Sequence, residues 1–274
     1  MNILELKGIY KSYRRGGIFG GRERFQVLRD IHLAIPSGCC VGLLGRSGSG
    51  KSTLGRIALD LEAPDQGLRL FAGRQIHALG KKDYLDYRRN VQVVFQNALG
   101  SVNHRWSAGR IIAEPIENFH SPTPTRLRRQ VSDLLLRVGL CPDDADKLPH
   151  QFSGGELQRV CIARAMALNP KLIILDEAVS SLDMLIQARI IDLLQTLQKE
   201  LGTAYLFISH DIRVLLKICD RLLAMRDGRI VEQVENMDFF TPTAQGTISD
   251  LVQAILPATP MAALLHPCGM RPRP

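Results

Sequence analysis

The apolar run Cys39-Cys40-Val41-Gly42-Leu43-Leu44 passes without a break into Gly45-Arg46-Ser47-Gly48-Ser49-Gly50-Lys51-Ser52. A buried strand followed by G-x-x-x-x-G-K-[ST] is the pattern of a loop that cradles phosphate. Its glycines admit backbone angles that other residues resist, so successive N–H groups can converge on one anion. Lys51 brings a mobile positive charge to the β and γ oxygens, and the Ser52 hydroxyl can ligate Mg²⁺. The following residues, Ser52 to Leu61, predict a helix whose positive end meets the loop. Gly45 to Ser52, with Thr53 behind them, are therefore the candidate triphosphate site, and the chain reads as a nucleoside triphosphatase.

The rest of the composition sets limits. The 274 residues, 45% hydrophobic and 23% charged, suffice for one large domain or two small ones with an ordinary core. No apolar stretch approaches the ~20 residues of a spanning helix. Glu5, Lys7, Lys11, Arg14 and Arg15 interrupt the segment where a signal peptide would need an apolar run, so the expected location is the cytosol. The six cysteines form no C-x-x-C pair and lie mostly in apolar or helical patterns, which favours buried reduced thiols over zinc or an iron–sulfur cluster. The net charge of +8 is scattered and is not interleaved with aromatics, only 5% of the chain, so nucleic acid is not an expected partner.

Strand-like runs recur at Ile3–Leu6, Cys40–Leu44, Val91–Phe95, Leu172–Leu175, Ala204–Ser209 and Arg221–Met225, with helical patterns between several of them. This order predicts an α/β fold. The fully apolar runs at 172–175 and 205–208 suit central parallel strands covered on both faces. Between Gln96 and Ala165 helical segments interrupted by Pro115, Pro122, Pro124, Pro142 and Pro149 predict a helical insertion. Arg14 to Arg24 is expected to be an exposed loop between edge strands, and the proline-rich Leu256 to Pro274 a loosely ordered tail.

Two further constellations carry chemistry. Asp176-Glu177 closes the apolar strand 172–175, which places Asp176 as a Mg²⁺ partner and Glu177 as the residue to orient or deprotonate an attacking water. Phe152-Ser153-Gly154-Gly155-Glu156 opens a helix with a capping box from Ser153 to Glu156. Capping does not account for two glycines in a first turn, where each weakens the helix by up to ~1 kcal/mol. Free N–H groups, a positive dipole and missing side chains describe a second phosphate site, and its position before Asp176 predicts that the phosphate comes from another subunit. His210 follows the strand 204–209; on residues alone, closing that strand explains it at least as well as bonding a γ-phosphate.

Over about residues 1 to 240 the chain resembles the ATP-binding subunits of ABC transporters. The resemblance implies an α/β P-loop NTPase, the ABC-type nucleotide-binding domain, with an antiparallel β subdomain and a helical subdomain. The nucleotide core would be 1–96 and 166–240, the helical part 97–165 and the tail 241–274. It implies that Tyr13 stacks on adenine, that Gln96 senses Mg²⁺ and the membrane partner, and that Ser153 to Glu156 are the signature motif. Asp176 and Glu177 match the acid and catalytic base, Ser181-Leu182-Asp183 the D-loop, and His210 the switch histidine. Phe152 and Glu156 depart from the usual Leu and Gln of the signature.

Val93-Val94-Phe95-Gln96-Asn97, Leu157 to Ala165 and Leu175 to Ser180 look most similar to the ATPases of nickel and peptide importers. Thr241-Pro242-Thr243-Ala244 and Gln253 to Pro257, in place of a His-Pro-Tyr-Thr motif, favour the nickel branch. The implied cofactors are ATP and Mg²⁺. The implied partners are a paralogous ATP-binding subunit, two transmembrane permease subunits and an external solute-binding protein, with this chain on the cytoplasmic face of the membrane. A non-transport ABC ATPase is the rival, but those usually carry two modules or a long coiled coil. Direct metal binding through His104, His120, His150 or His266 with Cys268 has no ligand spacing to support it.

Overall fold

A computed structural model describes residues 1–15, 23–235 and Ile248. The glycine- and arginine-rich stretch 16–22 and most of the tail, including the two segments that favour the nickel branch, lie outside the described residues. The chain opens with two 14-residue strands, β1 (Asn2–Arg15) and β2 (Glu23–Pro36), which pair antiparallel. β3 (Cys40–Leu44) follows, then α1 (Lys51–Ala58), β4 (Gln66–Phe71), β5 (Arg74–Gln75), α2 (Lys81–Asn90) and β6 (Val91–Phe95). α3 (Ala108–Phe119), α4 (Pro124–Arg137) and α5 (Gly154–Met166) make the helical stretch. β7 (Leu172–Asp176), α6 (Met184–Leu201), β8 (Ala204–Ser209), α7 (Ile212–Ile218), β9 (Arg221–Arg226) and β10 (Arg229–Val234) complete the described chain.

Among the described residues the strands form two sheets, β2-β1-β4-β5 and β10-β9-β3-β8-β7-β6. The first is antiparallel throughout. In the second, β9, β3, β8, β7 and β6 run parallel and only β10 reverses. β3 and β8 are buried along their whole length, as central strands of a sheet covered on both faces must be. One face packs on β1 and β2 through Leu4, Leu28, Ile31 and α1; the other packs on α3, α5, α6 and α7.

The register fixes the sheet edge on which chemistry can occur. Leu44 pairs with Ser209, Ile208 with Asp176, and Asp176 with Phe95. The residues that follow each strand, Gly45, His210, Glu177 and Gln96, therefore emerge together at the carboxyl edge.

Three sequence expectations shift. α1 starts at Lys51 and stops at Ala58, short of Leu61. Asp60 takes a left-handed φ of 54°, and the N–H groups of Asp60 and Leu61 return to Ile57 O and Arg56 O, the Schellman closure usually given to glycine. Asp60 also pairs with Arg69. Pro115 sits inside α3, which runs past it to Phe119, so it does not break the helix. Pro124 instead starts α4 behind the cap Thr123, where a missing N–H costs nothing. The strands β4, β5 and β10 were not expected, β4 and β10 being largely exposed; β2 is the strand expected beyond the loop 14–24, while β1, expected at an edge, lies between β2 and β4.

Candidate nucleotide site

The loop between β3 and α1 turns through Gly48 and Gly50, at φ 81° and 104°, angles that L side chains resist. Gly45 is needed for space: a Cβ there would stand 2.6 Å from Met225 O and 2.7 Å from Ser49 Oγ. Gly50 precedes α1 without a capping side chain, and the first turn carries no acid. The leading N–H groups of α1 are thus free donors at the positive end of a helix. Ser49 Oγ is buried with no partner in the protein, a second polar group for which a ligand is the natural complement.

Lys51 is 4% exposed, and its ammonium donates to Gly45 O at 2.6 Å and Arg46 O at 3.0 Å. Burial lowers its pKa, while Glu177 and Asp176 oppose that shift. The charge is therefore stored in the loop, facing two carboxylates across it. Arg46, Ser47 and Ser52 are exposed and Thr53 is partly so.

Asp176 ends β7 and accepts from Ser52 Oγ at 3.4 Å, joining residues 124 apart in sequence. Burial raises the Asp176 carboxyl above its ordinary range; the Ser52 bond works in the other direction. Glu177 holds a left-handed φ of 49°, rare for a residue other than glycine, and its N–H is anchored on Ile208 O at 3.0 Å. Its Oε2 lies 3.4 Å from Nδ1 of His210, so the acid and the histidine that follow neighbouring strands do meet. Gln96 Nε2 donates to Ser180 Oγ at 3.0 Å, and Ser180 Oγ donates to Glu177 O at 2.9 Å. Sequence reasoning assigned Ser180 no role, because a serine in a turn carries no signature of its partner 84 residues away.

Tyr13 lies on β1, within side-chain reach of Thr53 at the start of α1. Its hydroxyl donates to Glu62 Oε2 at 2.8 Å, and Lys11 Nζ stands 5.6 Å from the ring centre. The ring is held upright yet 37% exposed. Burial chiefly raises its pKa, with Glu62 adding to the shift.

Ser153 to Glu156 occupy another face. Ser153 Oγ accepts from the Glu156 N–H at 3.3 Å, and Glu156 Oε2 accepts from both N–H and Oγ of Ser153 at 2.8 Å. These bonds hold the Glu156 carboxyl below its ordinary range. The glycines differ. A Cβ on Gly155 would stand 2.5 Å from Ile186 Cγ2, so that glycine has a packing reason within the chain, whereas Gly154 is exposed with nothing nearer than Leu182 Cδ2 at 3.8 Å. Asp183 caps α6, accepting from the N–H groups of Leu185 and Ile186. Next to it Met184 and Leu185 are 76% and 63% exposed, which makes this face apolar as well as anion-ready.

A phosphate loop on a buried parallel strand, with two carboxylates closing the neighbouring edge, defines a P-loop ATPase. Residues 28–180 match the model of the family described as ABC transporter. A nickel import ATP-binding protein NikE of Rhodospirillum rubrum is 44% identical over 95% of this chain and 94% of its own length. The protein of that name from Escherichia coli K12 is 42% identical over 95% of this chain and 97% of its own. Among solved structures, the dimeric, post-hydrolysis ATP-binding cassette MJ0796 bound to ADP and Pi superposes with a TM-score of 0.76 at 28% identity, over 86% of this chain and all of that one. CbiO1 of Clostridium perfringens, part of the ABC transporter complex cbiONQ, gives 0.73 at 29% identity, over 85% of this chain and 88% of that one. The chain belongs to the ABC transporter family, as one of its ATP-hydrolysing cassettes.

Proposed function

We propose that this chain is the ATPase subunit that drives nickel import, acting on the cytoplasmic face of the membrane. The observation that carries the cargo is the 42–44% identity, along nearly the whole chain, to proteins named as nickel import ATP-binding proteins. Among the described residues no helix is long and apolar enough to cross a membrane, and no group of three or more His, Cys, Asp or Glu is placed to hold a metal ion. The partners this reading takes are a paralogous ATP-binding subunit, two transmembrane permeases and an external solute-binding protein.

In this reading Gly45 to Thr53 hold the triphosphate and Tyr13 stacks on adenine. Glu177 activates the attacking water, and His210, 3.4 Å away, bonds the γ-phosphate. The Ser52 hydroxyl, Asp176 carboxylate and Gln96 amide are all hard oxygen donors of the kind Mg²⁺ takes, and a cation is the natural complement of the partly buried Asp176 charge. Mg²⁺ held by these groups would offset the negative charge of the phosphate. Ser153 to Glu156 and Asp183 face the nucleotide of the partner subunit; the exposed Met184 and Leu185 beside them support a protein contact there.

Residues 1–96 and 166–240 form the nucleotide core, 97–165 the helical subdomain and 241–274 the tail. Gln96 and the helical lobe that begins at Asn97 are our candidates for the coupling to the permeases. Cells lacking this subunit should accumulate less radioactive nickel at limiting concentration while taking up dipeptides normally. The reverse pattern would move the protein to the peptide branch.

A further inference from the structure

We infer that Ser180 is a positioning residue that orients the Gln96 amide for the cation. The argument is a proton count. The Ser180 hydroxyl has one proton, and it is committed to Glu177 O at 2.9 Å. Toward Gln96 the hydroxyl can therefore only accept, which forces the amide to present Nε2, at 3.0 Å, and leaves Oε1 as the free end. Only that end can serve a cation or the water beside it. Were the Ser180 proton free, the amide could flip and offer a donor to the cation instead.

Three features make the orientation rigid. Glu177 O receives both the hydroxyl and the N–H of Ser180, the latter at 3.1 Å. The Glu177 N–H is tied to β8 through Ile208 O. Gln96 leaves β6 directly beside Asp176, since Phe95 and Asp176 are register partners. Ser180 thus links the start of the helical stretch to the backbone of Glu177, and any displacement of Gln96 is felt by that left-handed peptide.

The inference rests on the nucleotide-site reading, and its test separates the two. ATP retention by the purified full-length chain is measured by equilibrium dialysis with and without Mg²⁺. Ser180→Ala should leave Mg²⁺-free retention at the wild-type level and lose about tenfold of the Mg²⁺-dependent gain, the size of one hydrogen bond to a cation site. Ser180→Thr, which keeps the hydroxyl, should restore it, which a purely steric role for the serine would not predict. The unchanged Mg²⁺-free retention doubles as the check that the variant is folded. A full Mg²⁺-dependent gain in Ser180→Ala overturns the inference alone; its absence in the wild-type chain overturns the site reading with it.

Discussion

Glu177 and Asp176 are adjacent, yet their surroundings give them different work. Glu177 faces His210 from a left-handed backbone anchored on β8, an arrangement that aims its side chain and does not bury it fully. Glu177→Gln should keep ATP bound and reduce turnover by about 10²–10⁴-fold, the worth of a placed general base. Turnover at the wild-type rate with the partners present would remove Glu177 from that role. Asp176 is pressed by burial toward its protonated form. A carboxyl whose folded pKa is raised contributes stability that is complete below its unfolded value and is lost as pH rises through the folded one. At neutral pH the ionised group therefore works against folding. Asp176→Asn should raise the melting temperature of the nucleotide-free chain at pH 7, and the gain should shrink as pH falls and the wild-type carboxyl takes up its proton. The same variant should lose Mg²⁺-dependent hydrolysis, so thermal melts across pH and an activity assay together check the trade.

At the scale of elements, the contact of α5 with α6 is set by one missing side chain. Gly155 lets the first turn of α5 lie against Ile186, and a Cβ would meet its branched methyl at 2.5 Å. Gly155→Ala would gain up to about 1 kcal/mol of helix propensity but force an overpacking that costs about 1–3 kcal/mol. Denaturant melts should show a net loss. Ile186→Leu, which removes that methyl, should recover most of it in the double variant, and a simple additive result would mean that the two helices do not meet there. The tertiary contact gives Gly155 a packing reason within the chain beside its proposed ligand role, whereas Gly154 has no such reason.

For the whole molecule, the face carrying Gly154, Asp183, Met184 and Leu185, open and partly apolar, is the one we propose meets a second subunit. Gly154→Asp tests that without a folding penalty, because the site is open and an acid in a first turn favours the helix. The isolated chain should still bind ATP in equilibrium dialysis. Partner-dependent hydrolysis should fall by about 10²-fold, the scale of losing one preorganised anion site. Loss of ATP binding by the isolated chain would place the signature turn within the chain's own pocket.

What the sequence determined by itself is whatever lies in one continuous stretch. The phosphate loop, the capping box at Ser153 and the strands read at 91–95, 172–175 and 204–209 each follow from neighbours in the chain, because backbone angles, caps and apolar runs are local demands. Strand order is not local. β7 lies two strands from β3 and directly beside β6, and that placement brings Ser52 to Asp176 and Gln96 to Ser180 across 124 and 84 residues. The need for glycine at 155 likewise follows from a packing partner distant in sequence, Ile186. Contacts between distant segments depend on how sheets and helices share a core, which no single stretch encodes; tertiary structure alone decided them.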